Sequence, residues 1–188
     1  MAETKAVAKV KKRWFTILAP EVFNKKELAD MPAISAESTV KKLVDVTGQM
    51  LTGLARDLNR KYKLQIVEAV GDKVRTEPQS YYLSESFLQR TARRYKDRFI
   101  FVVKGATKDN KTAIIKLFYL NLKRLHHSER GAVLAKTKDF IVKEIKETDA
   151  YKLFDPNIID KITTDLRKDL SDVYTVDKIL LTKLSILK

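Results

Sequence analysis

Phe99-Ile-Phe-Val-Val-Lys-Gly-Ala106, a Lys108-Asp109-Asn110-Lys111 turn, and Thr112-Ala-Ile-Ile-Lys-Leu-Phe-Tyr-Leu-Asn-Leu122 carry the strongest β signal in the chain. Both arms are near-continuous apolar runs, the pattern of strands covered on both faces. They are expected at the centre of a sheet. Upstream, Tyr62 to Val70 is β-rich and Gly71-Asp72 supplies a two-residue turn. Gly at the first turn position suits a type II′ hairpin, which needs a positive φ there. Lys73 to Glu77 is expected to return from this turn, and Pro78 to end the strand. Further upstream, Trp14 to Leu18 and Thr39 to Thr47 read as strands. In the second, Val40, Val44 and Val46 share one face and Leu43 points the other way. Residues 20 to 38, with Pro20, Pro32, Ser35 and Ser38, read as an irregular surface loop.

Helical patterns lie around and after this β-rich region. Ser84 is a suitable N-cap for a helix to about Lys96, with Glu85 in its first turn. Phe87, Leu88, Ala92 and Tyr95 form its inward face. Arg90, Arg93, Arg94 and Lys96 crowd the other side. A second helix, from about Glu129 to Glu147, sets Leu134, Ile141, Val142 and Ile145 on one side. A third begins at Asp155-Pro156, an N-cap followed by Pro at N1, and carries Ile158, Ile162, Leu166 and Leu170 at helical spacing. Tyr174 to Leu187 closes the chain as a β-rich segment. Strands first, two helices late and a C-terminal strand make an α+β fold rather than an alternating βαβ one. The expected organisation is a basic N-terminal arm, residues 1–13, and a single globular α+β domain, residues 14–188.

Charge narrows the function. The chain holds 38 Lys+Arg against 24 Asp+Glu, a net charge of +14 in 188 residues. Such a surplus is natural in a protein that lives against phosphate, because each Lys or Arg that neutralises a phosphate releases condensed counterions. With 44% hydrophobic residues the chain can also build a core, so it is not a disordered basic tail. It has no cysteine, which excludes disulfide scaffolds, thiolate catalysis and Cys-ligated zinc. No apolar stretch approaches the roughly 20 residues of a membrane span and no signal peptide is visible, so a cytoplasmic, soluble protein is expected.

Little catalytic chemistry is visible. The five glycines make neither a phosphate-binding loop nor a dinucleotide fingerprint. His126 and His127 are adjacent, flanked by Lys123, Arg124 and Arg130. They read as facing solvent or RNA rather than as a metal site. Most carboxylates stand beside Lys partners, as Asp165 does with Lys168, the pattern of a solvated face. No catalytic residue, metal ligand or cofactor is assigned.

The better lead is basic residues interleaved with aromatics. Lys9, Lys11, Lys12 and Arg13 lead into Trp14-Phe15, and Tyr81-Tyr82 precede the Arg-rich helix. Aromatic faces stack on unpaired bases, and Arg grips phosphate bidentately. A Trp on a first strand is nevertheless expected to fill core. The four cations Arg90, Arg93, Arg94 and Lys96 repel one another unless an anion relieves them, which favours phosphate contact.

The order of these features resembles the archaeal and eukaryotic small-subunit ribosomal protein family S3Ae (eS1). Lys11-Lys12-Arg13-Trp14-Phe15 followed by Ala19-Pro20-Glu21-Val22-Phe23 is similar to that family's K-K-x-W-Y…A-P-x-x-F opening, and Leu51-Thr52-Gly53 to its L-T-G connection. The Arg-rich helix, the hairpin with its Asp-Asn turn, the basic corner ending at Ser128, the late helices and the strand Val176 to Leu187 follow in family order. One departure stands out. Relatives commonly have T-S-Q followed by a basic R-A-I helix start. Here the chain reads His127-Ser128-Glu129-Arg130-Gly131-Ala132-Val133, with Gly131 in the basic place.

The resemblance implies a β-barrel-like antiparallel sheet decorated by helices. It also implies a structural role on the platform of the small subunit near the mRNA exit. The implied partners are small-subunit rRNA, neighbouring small-subunit ribosomal proteins and, near the exit, mRNA. It implies no catalytic residue, no small-molecule substrate and no membrane. The expected RNA-binding residues are Lys9, Lys11, Lys12, Arg13, Arg90, Arg93, Arg94, Lys96, Lys123, Arg124 and Arg130. The rival reading is a free-standing regulator that binds single-stranded RNA by stacking on Trp14, Phe15, Tyr81 and Tyr82.

Overall fold

A computed structural model describes residues 12–187. Eight strands form one largely antiparallel sheet: β1 (Arg13–Leu18), β2 (Glu27–Ala33), β3 (Leu43–Thr47), β4 (Arg60–Val70), β5 (Lys73–Leu83), β6 (Asp97–Ala106), β7 (Thr112–Asn121) and β8 (Lys178–Leu187). The helices are α1 (Gly48–Thr52), α2 (Glu85–Ala92), α3 (His127–Glu147) and α4 (Pro156–Leu170). The α+β class with two late helices and a C-terminal strand is as expected. The sheet is not closed.

The long β4–β5 hairpin is the spine. Gly71 has φ +62, as its turn requires. β4 pairs with β5 along the whole hairpin. On its opposite edge β5 meets β1, in parallel, at Lys73 to Arg75, and β8, antiparallel, at Ser80 to Tyr82. The rest of the sheet continues as β8, β7, β6, while β2 hangs on β1 and β3 on β4. β5 therefore holds β1 and β8 apart along one edge, from Val74 to Tyr81, about 23 Å at the usual strand rise.

Helices α3 and α4 cover the inner face of β6, β7 and β8. Val133, Ile141 and Ile145 of α3 and Ile159, Ile162, Leu166 and Leu170 of α4 are buried against Ala113, Ile115, Leu117, Tyr119, Leu181 and Leu184. α4 starts as its sequence dictates, with the Asp155 carboxylate accepting the Asn157 N–H at 2.9 Å and Pro156 in the first turn. A smaller cluster of Phe15, Ala33, Ile66 and Val74 joins β1–β2 to the hairpin.

Several expectations need correction. The apolar hairpin is not wholly central: β7 is interior, but β6 is an edge strand with Ile100 53% and Val102 47% exposed. Its apolar run reflects one face under α3 and a second face left open. Pro78 does not end β5. Lys63 pairs with Ser80 and Leu64 with Pro78, so Gln79 is an extra residue in a bulge, where a strand tolerates a proline's missing N–H. The supposed loop 20–38 contains β2, whose Pro32 is accommodated at a sheet edge. The strand foreseen from Thr39 begins only at Leu43, after Lys41 turns at φ +68. α2 ends at Ala92 rather than near Lys96.

A candidate nucleic-acid interface

The site is built where β6 begins and β7 ends. Ser84 stands at the N-cap of α2 as foreseen, although through its backbone: its carbonyl accepts the Leu88 N–H at 3.1 Å, its own N–H donates to the Asn59 carbonyl at 2.8 Å, and its side chain makes no capping bond. Phe87 and Leu88 are half-buried and Ala92 is buried. That fixes which side of the helix faces the sheet and turns Arg90, Arg93 and Arg94 to solvent.

The chain then enters β6, where two contacts tie it to the corner after β7, and a third ties that corner to the segment before β8. The Lys96 N–H donates to the Asn121 carbonyl at 3.1 Å. The Leu125 N–H donates to the Asp97 carboxylate at 3.1 Å. The Leu122 N–H donates to Asp177 at 2.7 Å. The structure thereby brings Arg93, Arg94 and Lys96 beside Lys123 and Arg124, all exposed. None of Arg90, Arg93, Arg94, Lys96, Lys123 and Arg124 forms an ion pair among the described residues. Such a surface gathers positive charge without internal relief and attracts anions.

Arg130 is different. Its guanidinium pairs with Asp97 at 2.8 Å and lies over the Phe99 ring, 5.0 Å from the centroid. This residue holds the corner in place, with its charge already partnered. Lys12 and Arg13 are exposed but stand at the far end of β5, since Thr16 of β1 pairs with Lys73. Lys9 and Lys11 lie outside the described residues. The predicted cations thus form two regions separated by the spine, not one.

The aromatic residues also sort themselves. Trp14, expected in the core, is 67% exposed beside Arg13. Strand alternation sends its neighbour Phe15 inward and Trp14 outward. Tyr81 is buried, edge-on to Tyr62 at 5.2 Å. Burial pushes both phenols well above their ordinary range. Tyr82 is half-buried beneath Lys63, 5.8 Å from its ring. The four-residue stacking platform of the rival reading is therefore not assembled, because two of its members are core.

Sequence reasoning missed the cations of the outer sheet face. Arg98, Lys104 and Lys183 are exposed and Lys116 is half-buried on β6, β7 and β8. The signal was present: Lys104 and Lys116 each interrupt an apolar run, which marks the face that is not covered.

No helix among the described residues is long and apolar enough to cross a membrane. Likewise, no group of three or more His, Asp or Glu side chains is placed there to hold a metal.

Comparison with known proteins agrees with the resemblance read from the sequence. The chain is 28% identical over 176 residues to the small ribosomal subunit protein eS1 of Picrophilus torridus, covering 94% of this chain and 84% of that protein. It is 24% identical over 194 residues to the eS1 protein of Archaeoglobus fulgidus, covering 100% and 92%. It is 30% identical over 136 residues to that of Nanoarchaeum equitans, covering 71% and 68%. The model of the Ribosomal S3Ae family matches residues 2–188, and the chain belongs to that family.

Proposed function

We propose that the chain is a structural constituent of the small ribosomal subunit, in the cytoplasm. In this reading it binds small-subunit rRNA on the platform near the mRNA exit, and it contacts neighbouring ribosomal proteins and, at the exit, mRNA. The role is architectural, not enzymatic. The observation that carries it is the unrelieved cationic surface of Arg90, Arg93, Arg94, Lys96, Lys123 and Arg124, held in register by backbone bonds on a chain of net charge +14. Family membership supports it. Lys and Arg on a fixed scaffold offset phosphate repulsion where rRNA segments approach, and these contacts position rather than read sequence. Lys12 and Arg13, toward the opposite end of β5, supply a second contact region, and Lys9 and Lys11 precede them in sequence.

The test is quantitative mass spectrometry across a sucrose gradient of native lysate, at low and at high salt. Stoichiometric recovery in the small-subunit peak at both salts is the expected result. Recovery in the light fractions, or loss on a mild salt wash, would replace the reading with that of a free RNA-binding regulator. Trp14, exposed at the end of the arm, would then be the residue to mutate first.

A further inference from the structure

The outer face of β6–β7–β8 is open except at one end, where α2 stands over it. Between them lies a groove of about 470 Å³, within the range of small-ligand sites. Its walls are apolar, Leu88 on the helix side and Ile100 and Phe118 on the sheet side, with Ile100 and Phe118 register partners across β6 and β7. Its rim carries three cations, Arg93, Arg98 and Lys116, against one carboxylate, Glu85 in the first turn of α2.

A second observation comes from strand register. Lys116 pairs directly with Lys183 across β7 and β8, which places two ammonium groups on the same outer face beside the groove. Like charges directly opposite are destabilising, and neither lysine has an ion-pair partner among the described residues. The slot thus asks for an apolar plate and an anion together.

We propose that this groove takes an unstacked nucleobase of a single-stranded RNA segment, with the base between Leu88 and Ile100–Phe118 and its phosphates against Arg93, Arg98 and the Lys116–Lys183 pair. A nucleotide carries its flat apolar face and its anion in one covalent unit. An acidic polypeptide offers carboxylates on short flexible stems and would leave the apolar walls unfilled. Duplex RNA could meet the rim but not enter the slot, because its bases are stacked. The groove is also continuous with the cationic surface through Arg93. The inference rests on the RNA-binding reading and adds to it a place where single-stranded RNA is distinguished from duplex.

The experiment measures binding of the full chain to a fluorescent oligouridylate and to an RNA duplex of equal charge. It compares wild type, Phe118→Leu and Leu88→Gln. Phe118→Leu keeps the site filled but removes the aromatic face. Leu88→Gln changes the opposite wall, on α2 rather than in the sheet, so the two variants share no folding defect, with circular dichroism as the control. Oligouridylate affinity is expected to fall about tenfold in Phe118→Leu, as loss of one aromatic stacking contact does, and to fall in Leu88→Gln, which makes the facing wall polar, with duplex affinity unchanged. Unchanged oligouridylate affinity in both variants would overturn the groove while leaving RNA binding in place. So would equal losses for both RNAs, or displacement of the oligouridylate by polyglutamate as effective as by unlabelled RNA. If wild type bound neither RNA, the RNA-binding reading itself would fall, and the groove with it.

Discussion

The Arg130 guanidinium donates to the Asp97 carboxylate at 2.8 Å, joining the first turn of α3 to the first residue of β6. The same carboxylate accepts the Leu125 N–H, so one buried Asp fastens both sides of the basic corner. Removing it leaves a buried N–H and a guanidinium without their acceptor, which costs about 2 kcal/mol for charge-assisted bonds. Asp97→Ala should lower the urea midpoint accordingly and weaken RNA binding through Lys123 and Arg124, which the corner positions.

The Asp97 interaction also carries a pH signature. Burial by itself pushes this carboxyl up, but the Leu125 N–H, the Arg130 guanidinium and the Arg98 N–H outweigh it and hold it below the ordinary value of 3.8. A carboxylate depressed in the folded state contributes stability that is complete above the unfolded value and is lost as pH falls through the folded one. Wild type should therefore lose stability more steeply than Asp97→Asn below pH 3.8. Urea denaturation across that range reads the difference, and parallel curves would mean that the corner does not depend on the charge.

Salt titration separates the unpaired cations of the basic corner from Arg130. If Arg93, Arg94, Lys123 and Arg124 each neutralise one phosphate, each change to Ala should reduce the slope of log K against log salt by about 1. Arg130→Ala should leave the slope nearly intact, because Asp97 already balances it, and should reduce stability instead. A slope that responds to Arg130 as strongly as to Arg93 would contradict this division.

Trp14 and Tyr81 looked alike as candidates and differ in the fold. Trp14 is 67% exposed, so Trp14→Ala should shift stability by no more than about 0.5 kcal/mol. Any loss of RNA affinity would then report on binding alone. Tyr81 is 1% exposed and packed on Tyr62. Tyr81→Ala should cost about 3–5 kcal/mol, as emptying a large aromatic site does. Thermal melts of the two variants check both statements.

The contrast between these residues shows what was legible in the sequence. The β4–β5 turn, the Asp155-Pro156 helix start and the start of α2 at Ser84 rest on local chemistry, and local spacing exposed them. The edge position of β6 and the bulge at Pro78 depend on which strand comes alongside, and no local pattern records that. The same holds for the candidate site. The exposure of Arg90 followed from helical periodicity, whereas Arg93, Arg94 and Lys96 lie past the end of α2 and are exposed by the turn into β6. The pairing of Arg130 with Asp97 spans 33 residues, and the facing of Lys116 by Lys183 needs the register of a strand far along the chain. Alternation within β1 would have turned either Trp14 or Phe15 inward. The choice between them was made by the second cluster, into which Phe15 fits with Ile66 and Val74.

Two glycines should respond to the same substitution with opposite signs. A Cβ on Gly48 would lie 2.7 Å from the Asp57 carbonyl oxygen and 3.1 Å from the Arg60 Cβ. The obstacle at Asp57 is backbone, held in turn by the fully buried Asp57 side chain, which accepts the Thr52 hydroxyl at 2.8 Å and meets Arg60 Nε at 3.3 Å. Nothing there is free to yield, so Gly48→Ala should destabilise by about 1–3 kcal/mol, the usual range for overpacking. Gly131 sits within α3 with open space around the Cβ position and nothing within 4 Å. Gly131→Ala removes the entropy cost of glycine in a helix and should stabilise by up to about 1 kcal/mol. Urea midpoints of the two variants, measured side by side, are expected to move in opposite directions. A loss at Gly131 would mean that this face of α3 is closed by a contact that the folded chain does not display, and a gain at Gly48 would mean that the α1 connection can open without disturbing Asp57.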